Sequence, residues 1–157
     1  MREHEVEAYL HEHIPISRAM GVRVECACFD KVALAAPLVP NINHRDTVFG
    51  GSASAVAILA AWTLLHYRLR QTALHTRLVI QRNTMHYDNP IVEDFEAIST
   101  IPEASEWEKF LVFLQRKKRA RIKVDVTLRC AGESVGRLDG EFVALTLDAR
   151  TVDGSKA

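Results

Sequence analysis

Residues 53–69 form a segment rich in Ala, Leu, Ile and Trp, interrupted by Ser54, Thr63, His66 and Arg68. A helix this apolar has almost no face suited to water, so it must be buried on nearly all sides. It does not read as a membrane span, because about 20 largely uninterrupted apolar residues are needed to cross a bilayer and polar groups recur here. The rest of the chain must therefore wrap around it.

The flanking sequence has the strands to do so. Residues 22–29 and 32–37 alternate or run apolar on either side of the turn pair Asp30-Lys31, which predicts a hairpin. Residues 78–87, 95–101, 122–130 and 135–147 read as further strands with Gly or Pro punctuation between them. Ahead of the hairpin, Val6, Leu10 and Ile14 space out a short amphipathic helix that stops at Pro15, whose ring removes the N–H that helix continuation needs. Residues 107–118 fit a helix or an extended segment, and Trp107, Phe110, Leu111 and Leu114 favour the helix. Residues 148–157 read as a frayed tail. A hairpin, a buried helix and four more strands predict an α+β fold in which an antiparallel sheet of about five or six strands curls around the helix. At 157 residues the expectation is one domain, 1–157, with its core in 5–147.

Charge narrows the functional classes. Twenty Lys and Arg balance twenty Asp and Glu, which argues against a globally basic nucleic-acid binder and against an acidic disordered tail. The zero is a sum over two adjacent blocks. Residues 88–108 hold seven acidic and no basic residues, and residues 109–123 hold seven basic and no acidic ones. The basic block reads either as a solvated face or as a receptor for phosphates, for which Arg119 and Arg121, with planar bidentate guanidinium groups, and Lys118 are the candidates. It lacks exposed aromatics for base stacking, so nucleic acid is not expected. Cys26, Cys28 and Cys130 are an odd set behind a charged N-terminus, predicting a reduced, cytoplasmic protein in which they are packing residues. No second close pair completes a zinc set around Cys26-x-Cys28, and His11 and His13 point apart on a helix, so no metal is expected.

Between hairpin and helix lies the polar stretch Asn41-Ile42-Asn43-His44-Arg45-Asp46-Thr47, followed by Val48-Phe49-Gly50-Gly51-Ser52. Together with Ile14-Pro15-Ile16-Ser17-Arg18-Ala19-Met20-Gly21-Val22 and Met85-His86-Tyr87-Asp88-Asn89-Pro90-Ile91, this order resembles the hotdog fold of acyl-thioester enzymes. More closely, it resembles the putative-thioesterase family found as the YiiD C-terminal domain. The resemblance covers most of residues 5–147. It implies substrates held as thioesters of coenzyme A or acyl carrier protein, with coenzyme A or phosphopantetheine part of the substrate and no separate cofactor. It also implies a homodimer or dimer of dimers with its site at the interface. No acetyltransferase domain, which that family sometimes carries in front, is expected before residue 5.

Residue by residue, Gly50 and Gly51 either permit a tight turn or bring first-turn N–H groups up to a ligand oxygen; the resemblance favours the second, an oxyanion hole aided by the helix dipole. Asn43 matches an asparagine that the resemblance places beside the substrate carbonyl, although Asn in a loop can equally stabilise a turn, the role expected of Asn41. Thr47 and Ser52 either hydrogen-bond substrate or cap the helix. His44, two residues from Asp46, is a further catalytic candidate. The departure is informative: related thioesterases carry an Asp or Glu about two turns into the helix, and here no carboxylate occurs anywhere in residues 50–70. Decarboxylation of a malonyl thioester needs oxyanion donors but neither base nor nucleophile, so it is the leading expectation; the resemblance implies malonyl-acyl carrier protein as the substrate, giving acetyl-carrier protein for the start of fatty acid synthesis. Acyl-thioester hydrolysis and a non-catalytic acyl-thioester binding module are the alternatives.

Overall fold

The computed structural model describes residues 2–101 and 103–147. The expected tail at 148–157 lies outside them. Helix α1 (Glu3–His13) ends at Ile14, and Pro15 then occupies the first position of a second short helix, α2 (Pro15–Ala19). Proline is tolerated there because a first-turn N–H would be unpaired anyway. Strands β1 (Arg23–Ala27) and β2 (Lys31–Ala36) form the hairpin. Helix α3 (Gly50–Leu69) follows, then β3 (Thr76–Tyr87), β4 (Phe95–Thr100), α4 (Ala104–Lys117), β5 (Arg119–Cys130) and β6 (Glu133–Thr146). The six strands form one sheet in the order β1-β2-β4-β5-β6-β3, and every neighbouring pair is antiparallel. This is the expected α+β arrangement, with six strands around one helix.

Packing explains the sequence pattern. Strand β5 alternates without exception, turning Ala120, Ile122, Val124, Val126, Leu128 and Cys130 inward and its charged residues outward. Against this face α3 buries Ala53, Val56, Ala57, Ala60, Ala61 and Leu64. The alanines let helix and sheet backbones approach closely. One expectation is modified: Ser54, Ala55, Ile58, Trp62 and His66 form a half-buried stripe along α3, and the Trp62 indole donates to Leu78 O on β3. Strand β3 is the sheet edge on that side, and of its twelve residues only Leu78 is buried. The ambiguous segment is helical, with Trp107, Phe110 and Leu114 inward. The basic block is divided between two elements: Lys109, Arg116 and Lys117 lie on α4, Lys118 makes the connection, and Arg119, Arg121 and Lys123 lie on β5, which begins at Arg119 rather than at Ile122. Cys130 packs in the core, whereas Cys28 is exposed and Cys26 half-buried, so packing accounts for only part of the cysteine set.

The C-terminal half of α3 is held by unusual contacts. Arg68, 3% exposed, lies 3.7 Å from the Phe29 ring centroid and 4.4 Å from that of Trp107. It donates to Phe29 O at 3.0 Å and pairs with Asp30 at 3.6 Å. One guanidinium thus clamps α3, the β1–β2 turn and α4 together. Two residues earlier, His66 stacks between Tyr9 and Trp62, with centroids at 5.0 and 4.5 Å.

Two stability predictions follow from these contacts. Arg68→Ala should lower the unfolding free energy by about 2 kcal/mol through lost packing and cation–π contact, and Arg68→Met by clearly less; equal losses in chemical denaturation would mean that charge, not packing, dominates. Burial, reinforced by the cationic fields of Arg70 and His13, pushes the His66 imidazole down from 6.5 to about 4. The unfolded chain therefore binds the extra proton first, and the stability contributed by neutral His66 is complete above pH 6.5 and drains away toward pH 4. Melting temperatures of His66→Gln should fall less steeply than wild type across that interval.

Candidate functional site

The loop between β2 and α3 is built around two asparagines with different tasks. Asn41 is buried; its Nδ2 donates to Met20 O at 2.9 Å and to Pro37 O at 2.7 Å, and its backbone carbonyl accepts the Phe49 N–H at 2.7 Å. Start and end of the loop are thereby pinned to one point, and an isolated antiparallel bridge joins Ile42 to Val48. Within that neck, Asn43 organises the tip. Its N–H donates to Thr47 O at 2.8 Å, and its Oδ1 accepts the N–H of Arg45 at 2.8 Å and of Thr47 at 3.4 Å. Its Nδ2 donates to Thr47 Oγ1 at 2.9 Å and to Val48 O at 3.4 Å. Asp46 takes the left-handed conformation that closes this turn (φ 58°), which Asp tolerates better than most residues.

Helix α3 then starts abruptly. Phe49 is its N-cap residue and supplies no side-chain cap, and the first internal bond runs from Ala53 N–H to Phe49 O at 3.1 Å. The N–H groups of Gly50, Gly51 and Ser52 have no partner among the described residues. Ser52 is therefore not the N-cap, and its half-buried hydroxyl sits in the first turn. A Cβ on Gly51 would run into the Phe49 ring, and one on Gly50 would touch the Tyr87 ring at 3.4 Å. The Tyr87 hydroxyl donates to Gly50 O at 3.0 Å. Three free N–H groups at the positive end of a 20-residue helix, with no acidic residue in its first turn, form a place where negative charge on an oxygen is stabilised.

The other candidates fall in two places. Thr47 lies in the loop, its hydroxyl accepting from Asn43. His44 is exposed, and its Nε2 accepts from Arg45 Nε at 3.3 Å; no His44–Asp46 bond forms among the described residues. Lys118 makes the left-handed turn after α4 (φ 61°), with its N–H donating to Leu114 O and its carbonyl accepting from Thr146 N–H. Arg119 and Arg121 occupy outward positions of β5 and, with Glu106, Lys109, Phe113 and Lys117, line a cleft of about 660 Å³; Phe113 is exposed, which corrects the expectation that the basic block carries no exposed aromatic. This cleft is remote from α3's start. Arg119 pairs with Leu145, which pairs with Arg77, whereas Tyr87 beside Gly50 is ten residues along β3, a separation of about 33 Å at strand rise. One chain does not bring the two groups together. Among the described residues no three His, Cys, Asp or Glu side chains cluster as metal ligands.

Sequence reasoning passed over Phe49 and Tyr87 as site residues. Tyr87 stood inside a recognised motif, but its contact with Gly50 joins residues 37 positions apart and has no local signature.

Comparison with known proteins agrees with this geometry. The family model described as "Putative thioesterase (yiiD_Cterm)" matches residues 3–146. A protein of unknown function from Chlorobaculum tepidum TLS has a similar structure, with TM-score 0.87, 26% identity, and coverage of 92% of this chain and 94% of that one. The "putative thioesterase" from Shewanella oneidensis superposes with TM-score 0.81 at 24% identity, covering 91% of this chain and 96% of its own. A thioesterase from Haemophilus influenzae shares the fold at 9% identity, with TM-score 0.74 and coverage of 99% and 96%. With nearly its whole length matched and six strands wrapped around α3, the chain belongs to the hotdog-fold putative thioesterase family of the YiiD C-terminal type.

Proposed function

We propose that the protein is a cytoplasmic acyl-thioester enzyme whose α3 N-terminus binds the thioester oxygen, and that its reaction is decarboxylation of malonyl-acyl carrier protein to the acetyl form used in fatty acid synthesis. The observation that carries this reading is an uncapped helix start with three free N–H groups, on a helix with no carboxylate along its length. In the reaction, the bond between the carboxylate and the α-carbon breaks, carbon dioxide leaves, and the electron pair passes through the α-carbon to the thioester oxygen. Donors at that oxygen stabilise the enolate as it forms. The α-carbon then takes a proton from water. Gly50, Gly51 and Ser52 supply N–H groups, and Asn43 adds a donor by exchanging its long 3.4 Å bond to Val48 O for the substrate oxygen. Thr47 orients Asn43. Phe49 and Ile42, both exposed beside the helix start, solvate the departing carboxylate poorly and so favour its loss.

The site is completed by a second copy. The uncovered β3 edge and the half-buried stripe of α3 support pairing of two chains along β3. Antiparallel pairing carries the Thr76 end of one β3 beside the Tyr87 end of the other, drawing the partner's cationic end toward the helix start. There Arg119 and Arg121, with Lys118 adding to the local positive field, meet the phosphates of phosphopantetheine or coenzyme A or the acidic surface of the carrier. No other cofactor is required.

Hydrolysis is the second reading, favoured by the thioesterase description of the family. In it Asn43, with Thr47 or His44, holds the attacking water.

Incubation with malonyl-carrier protein, followed by mass analysis, should yield acetyl-carrier protein; free malonate with free carrier thiol would overturn decarboxylation in favour of hydrolysis. The double variant Arg119→Ala/Arg121→Ala should raise KM about tenfold or more while kcat changes little. An unchanged KM would return both arginines to the role of a solvated face.

A further inference from the structure

The donors proposed for the thioester oxygen belong to a first turn that nothing caps from the front. What holds that turn is a contact from the side. The Tyr87 hydroxyl donates to Gly50 O at 3.0 Å, and the Gly50 carbonyl and the Gly51 N–H are two ends of one planar peptide unit. Fixing the oxygen fixes the tilt of the plane, and hence the direction in which the Gly51 N–H points. A carbonyl has two lone pairs, so the phenol adds to the helical bond this oxygen accepts rather than competing with it. Accepting a second hydrogen bond also polarises the peptide, which makes its N–H a stronger donor.

The phenol is well mounted for this. Tyr87 is the last residue of β3 and pairs with Gly136 on β6. A Cβ on Gly136 would lie 2.6 Å from His86 O, so the glycine allows β6 to press against the backbone just before Tyr87. The next two N–H groups, of Asp88 and Asn89, both donate to Val135 O at 3.0 and 3.1 Å. The His86 ring reaches Asp139 at 3.1 Å, and Ile91 O accepts the Val48 N–H at 2.8 Å. Residues 86–91 thus tie β6 to the loop that leads into α3. At the other end of the bond, Gly50 has no Cβ, and the Tyr87 ring occupies the space beside it at contact distance.

We propose that Tyr87 is a positioning residue: by donating to Gly50 O, it aims and polarises the Gly51 N–H toward the thioester oxygen. This rests on the proposed role of the α3 N-terminus. It assigns Tyr87 an effect on the transition state, where the oxygen carries most charge, rather than on substrate binding.

Tyr87→Phe keeps the ring and removes only the hydroxyl. Its kcat on the thioester substrate should fall about tenfold with KM within twofold of wild type. In ¹⁵N–¹H spectra, the Gly51 amide resonance should move while resonances of the α3 C-terminal half stay in place, which also verifies that the variant is folded. A turning-over wild type with an unchanged Tyr87→Phe kcat, a rise in KM alone, or an unmoved Gly51 resonance would overturn the assignment and leave the proposed function standing. A wild type that turns over neither malonyl- nor acyl-thioesters would instead overturn the proposed function, and the catalytic role of Tyr87 with it.

Discussion

Close approach between α3 and the sheet is the contact on which the rest of the structure depends. Ala53, Ala57, Ala60 and Ala61 are fully or almost fully buried, and the strands facing them present branched residues such as Val124, Val126 and Leu128. Small side chains on the helix and larger ones on the sheet fill the space at interior density. A long side chain at any of these alanines would push the helix outward and move both of its ends. Because the N-terminal end carries the candidate site, core packing and site geometry here are one problem.

The two ends of α3 are treated differently. At the C-terminal end, Arg68 is clamped between two rings and bonded to a carbonyl, and His66 sits in an aromatic stack. These are interactions with little to gain from a ligand, and they anchor the helix against α1, α4 and the β1–β2 turn. At the N-terminal end there is no cap, no acidic first-turn residue and no side chain on the first two positions. Orphan N–H groups are normally satisfied by a cap, so a helix start lacking one gives up local stability. The loss is offset by the neck that Asn41 closes and by Tyr87 bonding from β3.

Charge follows the same axis. Asp88, Glu93 and Asp94 lie in the connection after β3 that touches the loop leading into α3, whereas Arg119 and Arg121 lie at the far end of β5. The separation is not complete, because Glu106 lines the same cleft as the arginines and Arg129 pairs with Glu96 near the acidic connection.

Much of this was legible in the sequence, for a physical reason. An apolar helix with no solvent face demands a wrapper, and period-two alternation names the strands that provide it, so the α+β class, the hairpin and the long helix follow from local pattern. Gly50-Gly51 after a polar loop marked the helix start, and the empty run of residues 50–70 marked the missing carboxylate. Where reasoning fell short, the deciding interactions were distant in the chain. Arg119 and Arg121 joined β5 because pairing with β6 extends that strand to Arg119. Cys28 turned to solvent at the end of an edge strand. Asn43 proved to spend its amide on its own loop, and Tyr87 reached Gly50 across 37 residues. The sequence by itself determined which segments are buried, because hydrophobic period is a local property. Only the tertiary structure decided which polar groups face one another and which N–H groups remain free, because hydrogen bonds are directional and their partners are chosen by the packing of the whole chain.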